Sequence, residues 1–108
     1  MKLNIKPLSV NQCWQGKRFK TPKYKQYEFE LLLLLKPNLS IPKGRLSLLI
    51  TFGLSSKLND IDNGLKPFID VLQKKYGFND RDIYKLEVEK VIVEKGKEFI
   101  EFEIKEKK

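Results

Sequence analysis

Short stretches of alternating apolar and polar residues are separated along this chain by two longer segments of helical period. Leu3 and Ile5 alternate with Lys2, Asn4 and Lys6 up to Pro7, the pattern of a strand with one buried face. From Ser9 to Lys20 no period is sustained, and Trp14 and Phe19 are interleaved with basic residues and a glycine, which predicts a long loop. Thr21-Pro22 is a helix start, a hydroxyl cap followed by proline at the first helical position, and Lys36-Pro37 is the matching stop. Between them Tyr24, Tyr27, Leu31, Leu34 and Leu35 share one helical stripe, and no β-branched residue intervenes. A strand with Tyr27, Phe29, Leu31, Leu33 and Leu35 on one face is the rival reading of that segment.

Pro37 to Gly44 is a turn-rich connector. Leu46, Leu48, Ile50 and Phe52 then alternate with Ser47, Leu49 and Thr51 as a central strand ended by Gly53. Ile61, Leu65, Phe68, Ile69 and Leu72 recur at helical spacing, and Tyr76-Gly77 closes that helix. Pro67 requires either that the regular helix begin near Lys66 or that its first turn be kinked. Ile83 to Lys95 reads as a strand whose phase changes at Val91, Ile92 and Val93, implying a bulge or burial on both faces. Gly96-Lys97 predicts a compact hairpin turn into a last strand carrying Ile100, Phe102 and Ile104 on one face. The order β-α-β-α-β-β predicts an α+β class, a mixed four-stranded sheet with two packed helices, one domain over residues 1–104. Residues 105–108 are expected as a loose basic tail.

Composition adds charge to this picture. The 108 residues suffice for one core, and the formal net charge is +8 with no histidine, so acid–base chemistry falls to Asp, Glu, Lys, Tyr or water. The basic residues Lys2, Lys6, Lys17, Arg18, Lys20, Lys23 and Lys25 precede the first acid, a footprint suited to polyanions such as nucleic acid. Cys13 is the lone cysteine, which excludes an internal disulfide and a Cys/His zinc set. The longest apolar run, Leu31 to Leu35, is far short of a membrane span and no apolar leader precedes it, so a soluble cytoplasmic protein is expected, with no membrane partner.

The chemistry concentrates between Asn59 and Lys66. Asp60 and Asp62 sit where a loop becomes an amphipathic helix, with Lys66 following and Asp80 or Asp82 just before the next strand. If three of these carboxylates converge, their hard oxygens suit Mg²⁺ or Mn²⁺, ions that bind phosphate and activate water, with Lys66 as the fixed cation. In a crossover unit the loops at the two ends of a helix lie apart along it, so convergence requires a chain return that pattern alone does not prove. By spacing alone, Asp62, Lys66, Asp70 and Lys74 read equally as an i, i+4 ladder on a solvated face, at about 0.2–0.5 kcal/mol per pair.

The string Asp60-Ile61-Asp62-Asn63-Gly64-Leu65-Lys66, followed by Asn79-Asp80 and the apolar Ile83, resembles the RusA-type Holliday junction resolvases, whose signature is D-x-D-N-x-x-K with an acidic pair leading into a strand. Pro7-Leu8-Ser9-Val10-Asn11 is similar to that family's proline-serine-x-asparagine opening, so the resemblance spans nearly the whole chain. It implies a Mg²⁺-dependent homodimeric endonuclease that resolves four-way DNA junctions by paired symmetric cuts. Asp60, Asp62 and Asp80 would then be metal ligands (Mn²⁺ a possible substitute), Lys66 the essential lysine and Asn63 an orienting residue behind them. Asn79 stands where the family's pair has its first acid, and Ser55 to Asn59 where the family often has arginines. DNA contacts are therefore expected from Asn11, Lys17, Arg18, Lys20, Lys23 and Lys57, with Trp14, Phe19 and Tyr24 able to stack on bases. Two other classes remain open: a non-catalytic DNA-binding module of the same fold, and an interaction protein whose basic face serves only solubility.

Overall fold

The computed structural model describes residues 1–16 and 19–108. In chain order its elements are β1 (Lys2–Leu3), a 3₁₀ turn (Val10–Gln12), β2 (Trp14–Gln15), β3 (Phe19–Lys20), α1 (Pro22–Leu34), β4 (Leu46–Leu54), α2 (Leu65–Tyr76), a second 3₁₀ turn (Asp80–Asp82), β5 (Ile83–Ile92) and β6 (Phe99–Glu106). The fold is α+β, a mixed four-stranded sheet carrying two helices, with a small two-stranded ribbon beside it. That ribbon, Trp14 and Gln15 against Lys20 and Phe19, forms within the segment expected as loop. The range is too short and too polar for a period to register.

Helix, not strand, is the state of the segment after Thr21. The Thr21 hydroxyl accepts the Tyr24 N–H at 3.1 Å, and Pro22 occupies the first turn, where its missing donor costs nothing. Tyr24, Tyr27, Leu31 and Leu35 are buried as their spacing requires, whereas Leu34 is 45% exposed. The helix ends at Leu34 and Leu35 is already extended, so the stripe turns away one residue before the expected stop. In α2, Pro67 falls in the first turn, where no intrahelical acceptor is needed, and the helix starts at Leu65. Gly77 ends it in the left-handed region (φ 76°).

The sheet order is β1-β6-β4-β5. β4 runs parallel to β5 through the α2 crossover and antiparallel to β6. The expected hairpin between the last two strands is therefore corrected: a tight turn does form, with the Lys97 N–H on the Glu94 carbonyl at 3.0 Å, but it carries the chain past the end of β4 to its other side. Burial explains the choice. Ile100 and Phe102 of β6 are buried between β1 and β4, while β5, with Lys85, Glu87, Glu89 and Lys90, occupies an edge where charge is tolerated. The irregularity expected near Val91 lies instead at the start of β5, where the register steps past Tyr84, and Val91 and Ile92 are exposed edge residues. β6 extends through Lys105 and Glu106, and the Lys107 N–H bonds to the Arg45 carbonyl, so these residues prolong the sheet into the segment expected as tail.

Leu48, Ile50, Phe52 and Leu54 project from β4 toward the helices. There Phe68 of α2 meets Phe52 and Phe102 edge-on, with centroids 6.4 and 5.4 Å away. Among the described residues no helix is long and apolar enough to cross a membrane.

Candidate functional site

β4 delivers the chain from the core into the loop Ser55 to Asn59, and a tight turn at Asp60 to Gly64 then leads into α2. The Asn63 N–H bonds to the Asp60 carbonyl at 3.3 Å and the Leu65 N–H to the Asp62 carbonyl at 3.1 Å. Both aspartates stay exposed in that turn. A neighbouring strand holds the loop: Lys90 of β5 donates from Nζ to the carbonyls of Asn59 at 2.9 Å and Lys57 at 3.2 Å. Lys90 escaped the reading of the sequence, although its position carries a signal, since it is a cation on the inward phase of Leu86, Val88 and Ile92.

The N-terminal segment closes against the same turn. Ser9 caps the 3₁₀ turn by accepting the Asn11 N–H, and the Val10 N–H donates to the Asn63 carbonyl at 2.8 Å. A Cβ on Gly64 would lie 3.2–3.3 Å from the Phe52 ring and 3.6 Å from Pro7, so this glycine lets the turn sit down on the core and on the N-terminal segment at once. Thr21 ties the arm to α1: its hydroxyl donates to the Gln12 carbonyl and its N–H to the Cys13 carbonyl at 2.9 Å. Pro7 to Gln12 and Ser55 to Gly64 thus enclose a cleft of about 290 Å³, with Asp60 on its lining.

Lys66 stands on the first turn of α2 with its side chain 64% exposed and its Nζ 2.8 Å from Asp70 Oδ1. The hydrogen bond to Asp70 raises its pKa above the usual lysine value. Partial burial opposes this, and the charges of Asp70 and Asp80 add to the rise, so Lys66 is a firm cation at neutral pH. Asp80 opens the turn before β5. Its N–H is accepted by Gln73 Oε1 at 2.8 Å, which docks the turn on α2, and Asn79 caps it by accepting the Arg81 N–H at 3.0 Å. The residue in place of an acid at position 79 therefore has a structural task of its own.

Because β4 and β5 are parallel, Asp60 and Asp62 lie beyond their C-terminal end while Asp80 precedes the N-terminal end of β5. The Asp80 turn docks at Gln73, about 12 Å along α2 from Leu65, near enough for its charge to act on Lys66. Among the described residues no three His, Cys, Asp or Glu side chains are grouped so as to hold a metal ion. The structure brings Asp60, Asp62, Asn63 and Lys66 onto one turn and its helix start, and places Asp80 further along the same helix. The donor chemistry nonetheless fits Mg²⁺, which commonly takes one or two exposed carboxylates, keeps several waters and completes its shell with substrate phosphate. Asp60 and Asp62 are such a pair.

The basic arm divides in function. Lys20 is held by Glu28, its Nζ 2.8 and 3.0 Å from the two carboxylate oxygens, and Lys74 approaches the same glutamate at 3.6 Å. Lys20, one of the expected phosphate contacts, is thus paired with α1. Asn11, Lys23 and Lys57 are exposed, whereas Lys17 and Arg18 lie outside the described residues. Trp14 stands edge-on to the Tyr24 ring, centroids 5.8 Å apart, and is 46% exposed, while Phe19 is 73% exposed. Tyr24 itself is buried beneath them and offers no face to a base. Cys13 is buried, its thiol pushed up by burial first and by the charges of Asp70 and Glu28.

No protein-family model matches the chain, and no curated protein matches it.

Proposed function

We propose that the chain is a Mg²⁺-dependent, structure-specific DNA endonuclease of the RusA type, acting as a cytoplasmic homodimer on four-way junctions. The observation that carries this reading is the docking of the two segments of the resemblance on each other. Val10 of the Pro7 to Asn11 segment donates to the carbonyl of Asn63 in the D-x-D-N turn, and Pro7 packs beside Gly64. Segments far apart in sequence build one surface, and the two exposed carboxylates and a firm lysine cation stand on it.

Asp60 and Asp62 would hold the ion against the scissile phosphate, with Asp80 as the further carboxylate the resemblance implies. The bound ion supplies Lewis-acid polarisation of phosphate and a water of lowered pKa. The Lys66 ammonium keeps its proton at Nζ through neutral pH, so it can offset charge developing on the phosphate or give the proton to the departing oxygen. Asn63 steadies the turn through its backbone, and Lys23 and Lys57, with Lys17 and Arg18, supply phosphate contacts. A two-fold dimer sets two such sites on opposed strands, as paired cuts require.

A second reading, a DNA-binding module without cleavage, draws on the spread of the three acids along α2. A synthetic four-way junction incubated with wild type and with Asp62→Asn in Mg²⁺ separates the two. The nuclease reading expects paired cuts by wild type, loss of cutting in Asp62→Asn with binding retained, and binding that weakens steeply with salt. Wild type that binds the junction and cuts it with neither Mg²⁺ nor Mn²⁺ leaves the non-catalytic module. Failure to bind at low salt removes both.

A further inference from the structure

The cleft between the N-terminal segment and the Asp60 turn has a composition unlike the basic surface around it. Its accessible apolar lining comes from Pro7 and Ile61, over the buried Phe52 and Leu54, and its polar lining is mostly neutral and includes Gln12, Asn59 and Asn63. Apart from the Lys90 ammonium on the Asn59 and Lys57 carbonyls and the Ser55 hydroxyl on Glu98, the hydrogen bonds of this region among the described residues use backbone and hydroxyl groups. Ser56 Oγ accepts the Leu58 N–H, Ser9 Oγ accepts the Asn11 N–H, and the Asn63 carbonyl accepts the Val10 N–H. The side-chain amides of Gln12, Asn59 and Asn63 are left for a ligand, each offering a donor and an acceptor.

We infer that this cleft receives one unpaired nucleobase, read by the amides of Gln12, Asn59 and Asn63, beside the phosphate handled at Asp60. The inference rests on the nuclease reading above and names what selects the cleavage position. A volume of about 290 Å³ holds about ten waters at ~30 Å³ each, ample room for one base. Pro7 and Ile61 offer apolar contact to a planar heterocycle, and the lining amides match its mixed donor and acceptor edge. Lys6 and Asp60 line the cleft as its two charged residues, a cation and a carboxylate beside a base-sized space. Bases at a branch point have already lost part of their stacking, so withdrawing one costs least there. The cleft is formed jointly by Pro7 to Gln12 and Ser55 to Gly64, so base reading and carboxylate positioning share one framework.

The test needs no cleavage. ¹⁵N-labelled protein without divalent metal is titrated to millimolar concentration with each of the four deoxynucleoside 5′-monophosphates and with deoxyribose 5-phosphate as the base-free control. The expected result is a shift of the Gln12, Asn59 and Asn63 side-chain amide signals with nucleotides alone, with affinities that differ among the bases. Gln12→Ala with Asn59→Ala should lower the best nucleotide's affinity roughly 5- to 150-fold, the range of a good amide–base contact, with the backbone spectrum unchanged. Equal shifts with the base-free sugar phosphate, shifts confined to Trp14 and Phe19, or no shift overturn the inference. Junction cutting without amide shifts removes the base site and leaves the nuclease. Amide shifts without cutting remove the nuclease and leave a base-binding cleft.

Discussion

Gly53 lies in the central strand two residues before the loop that carries Asp60, and the ring of Phe99 from β6 covers its open side. A Cβ built on Gly53 would fall inside that ring, against Cδ1 and Cε1. Lys2 also rests on that ring, with its Nζ 4.3 Å from the centroid, so a shift of Phe99 disturbs that contact. Gly53→Ala should therefore destabilise the protein. Overpacking of this kind costs about 1–3 kcal/mol, of which alanine's advantage over glycine in a strand returns roughly 0.5–1 kcal/mol. A net loss near 1–2 kcal/mol corresponds to a melting point lower by roughly 5–15 °C in a domain near this size. A double-mutant cycle with Phe99→Ala, followed by urea unfolding, isolates the cause. With the ring gone the clash is removed and alanine's advantage remains, so Gly53→Ala should become neutral to stabilising, a coupling equal to the overpacking cost of about 1–3 kcal/mol. A Gly53→Ala protein that melts with wild type, or one that loses the same stability in both backgrounds, would show that the ring is not what holds this position to glycine.

Two further outcomes test the chemistry of burial and charge. The Tyr27 hydroxyl is buried and, among the described residues, has no hydrogen-bond partner. Tyr27→Phe should be neutral to stabilising by roughly 1 kcal/mol, because it removes an unpaid desolvation, and a clearly lower melting point would reveal a partner the structure does not show. Glu98 is held below the ordinary carboxylate value of 4.5, first by its own backbone N–H and next by the Ser55 hydroxyl, with the Gly96 N–H adding at 2.8 Å. A lowered carboxylate stabilises above its unfolded pKa, so this contribution is present at neutral pH and lost as pH falls below 4.5 through the folded value. A carboxyl titration by NMR should find Glu98 low, and Ser55→Ala should move it upward; an unmoved titration refutes the Ser55 contact.

Legibility of the sequence depended on whether a feature was local. The cap at Thr21, the stop at Gly77 and the alternation of β4 follow from backbone chemistry and period within one element and are present; of the stripe expected for the second helix, Phe68 and Leu72 are buried and Leu65 and Ile69 half-buried, while Ile61 lies exposed in the turn before it. Tyr24, Tyr27 and Leu31 were readable because a helix repeats its buried face every turn, which also excluded the rival strand. Gly96-Lys97 was misread as a hairpin because a tight turn reports only its own geometry. Whether the strands it joins pair depends on which of them has more apolar surface to bury, and that comparison placed β6 beside β1 and β4.

The candidate site divides in the same way. Asp60, Asp62, Asn63 and Lys66 share one short stretch, so their common turn was implied by spacing. Lys90 under the Asp60 loop, Glu28 holding Lys20, and Gln73 docking the Asp80 turn are contacts between residues 7 to 33 apart, for which a linear pattern contains no term. By itself the sequence determined the two helices, the four strands of the main sheet and the order in which charge and carboxylates appear, but not the small ribbon of Trp14–Gln15 and Phe19–Lys20. Only the tertiary structure decided that Pro7 to Gln12 closes on the D-x-D-N turn, that Lys20 is paired with α1, and that Asp80 lies along α2 from Asp60. Those outcomes are set by long-range packing around Phe52 and Phe68, where the positions of all neighbours are resolved at once.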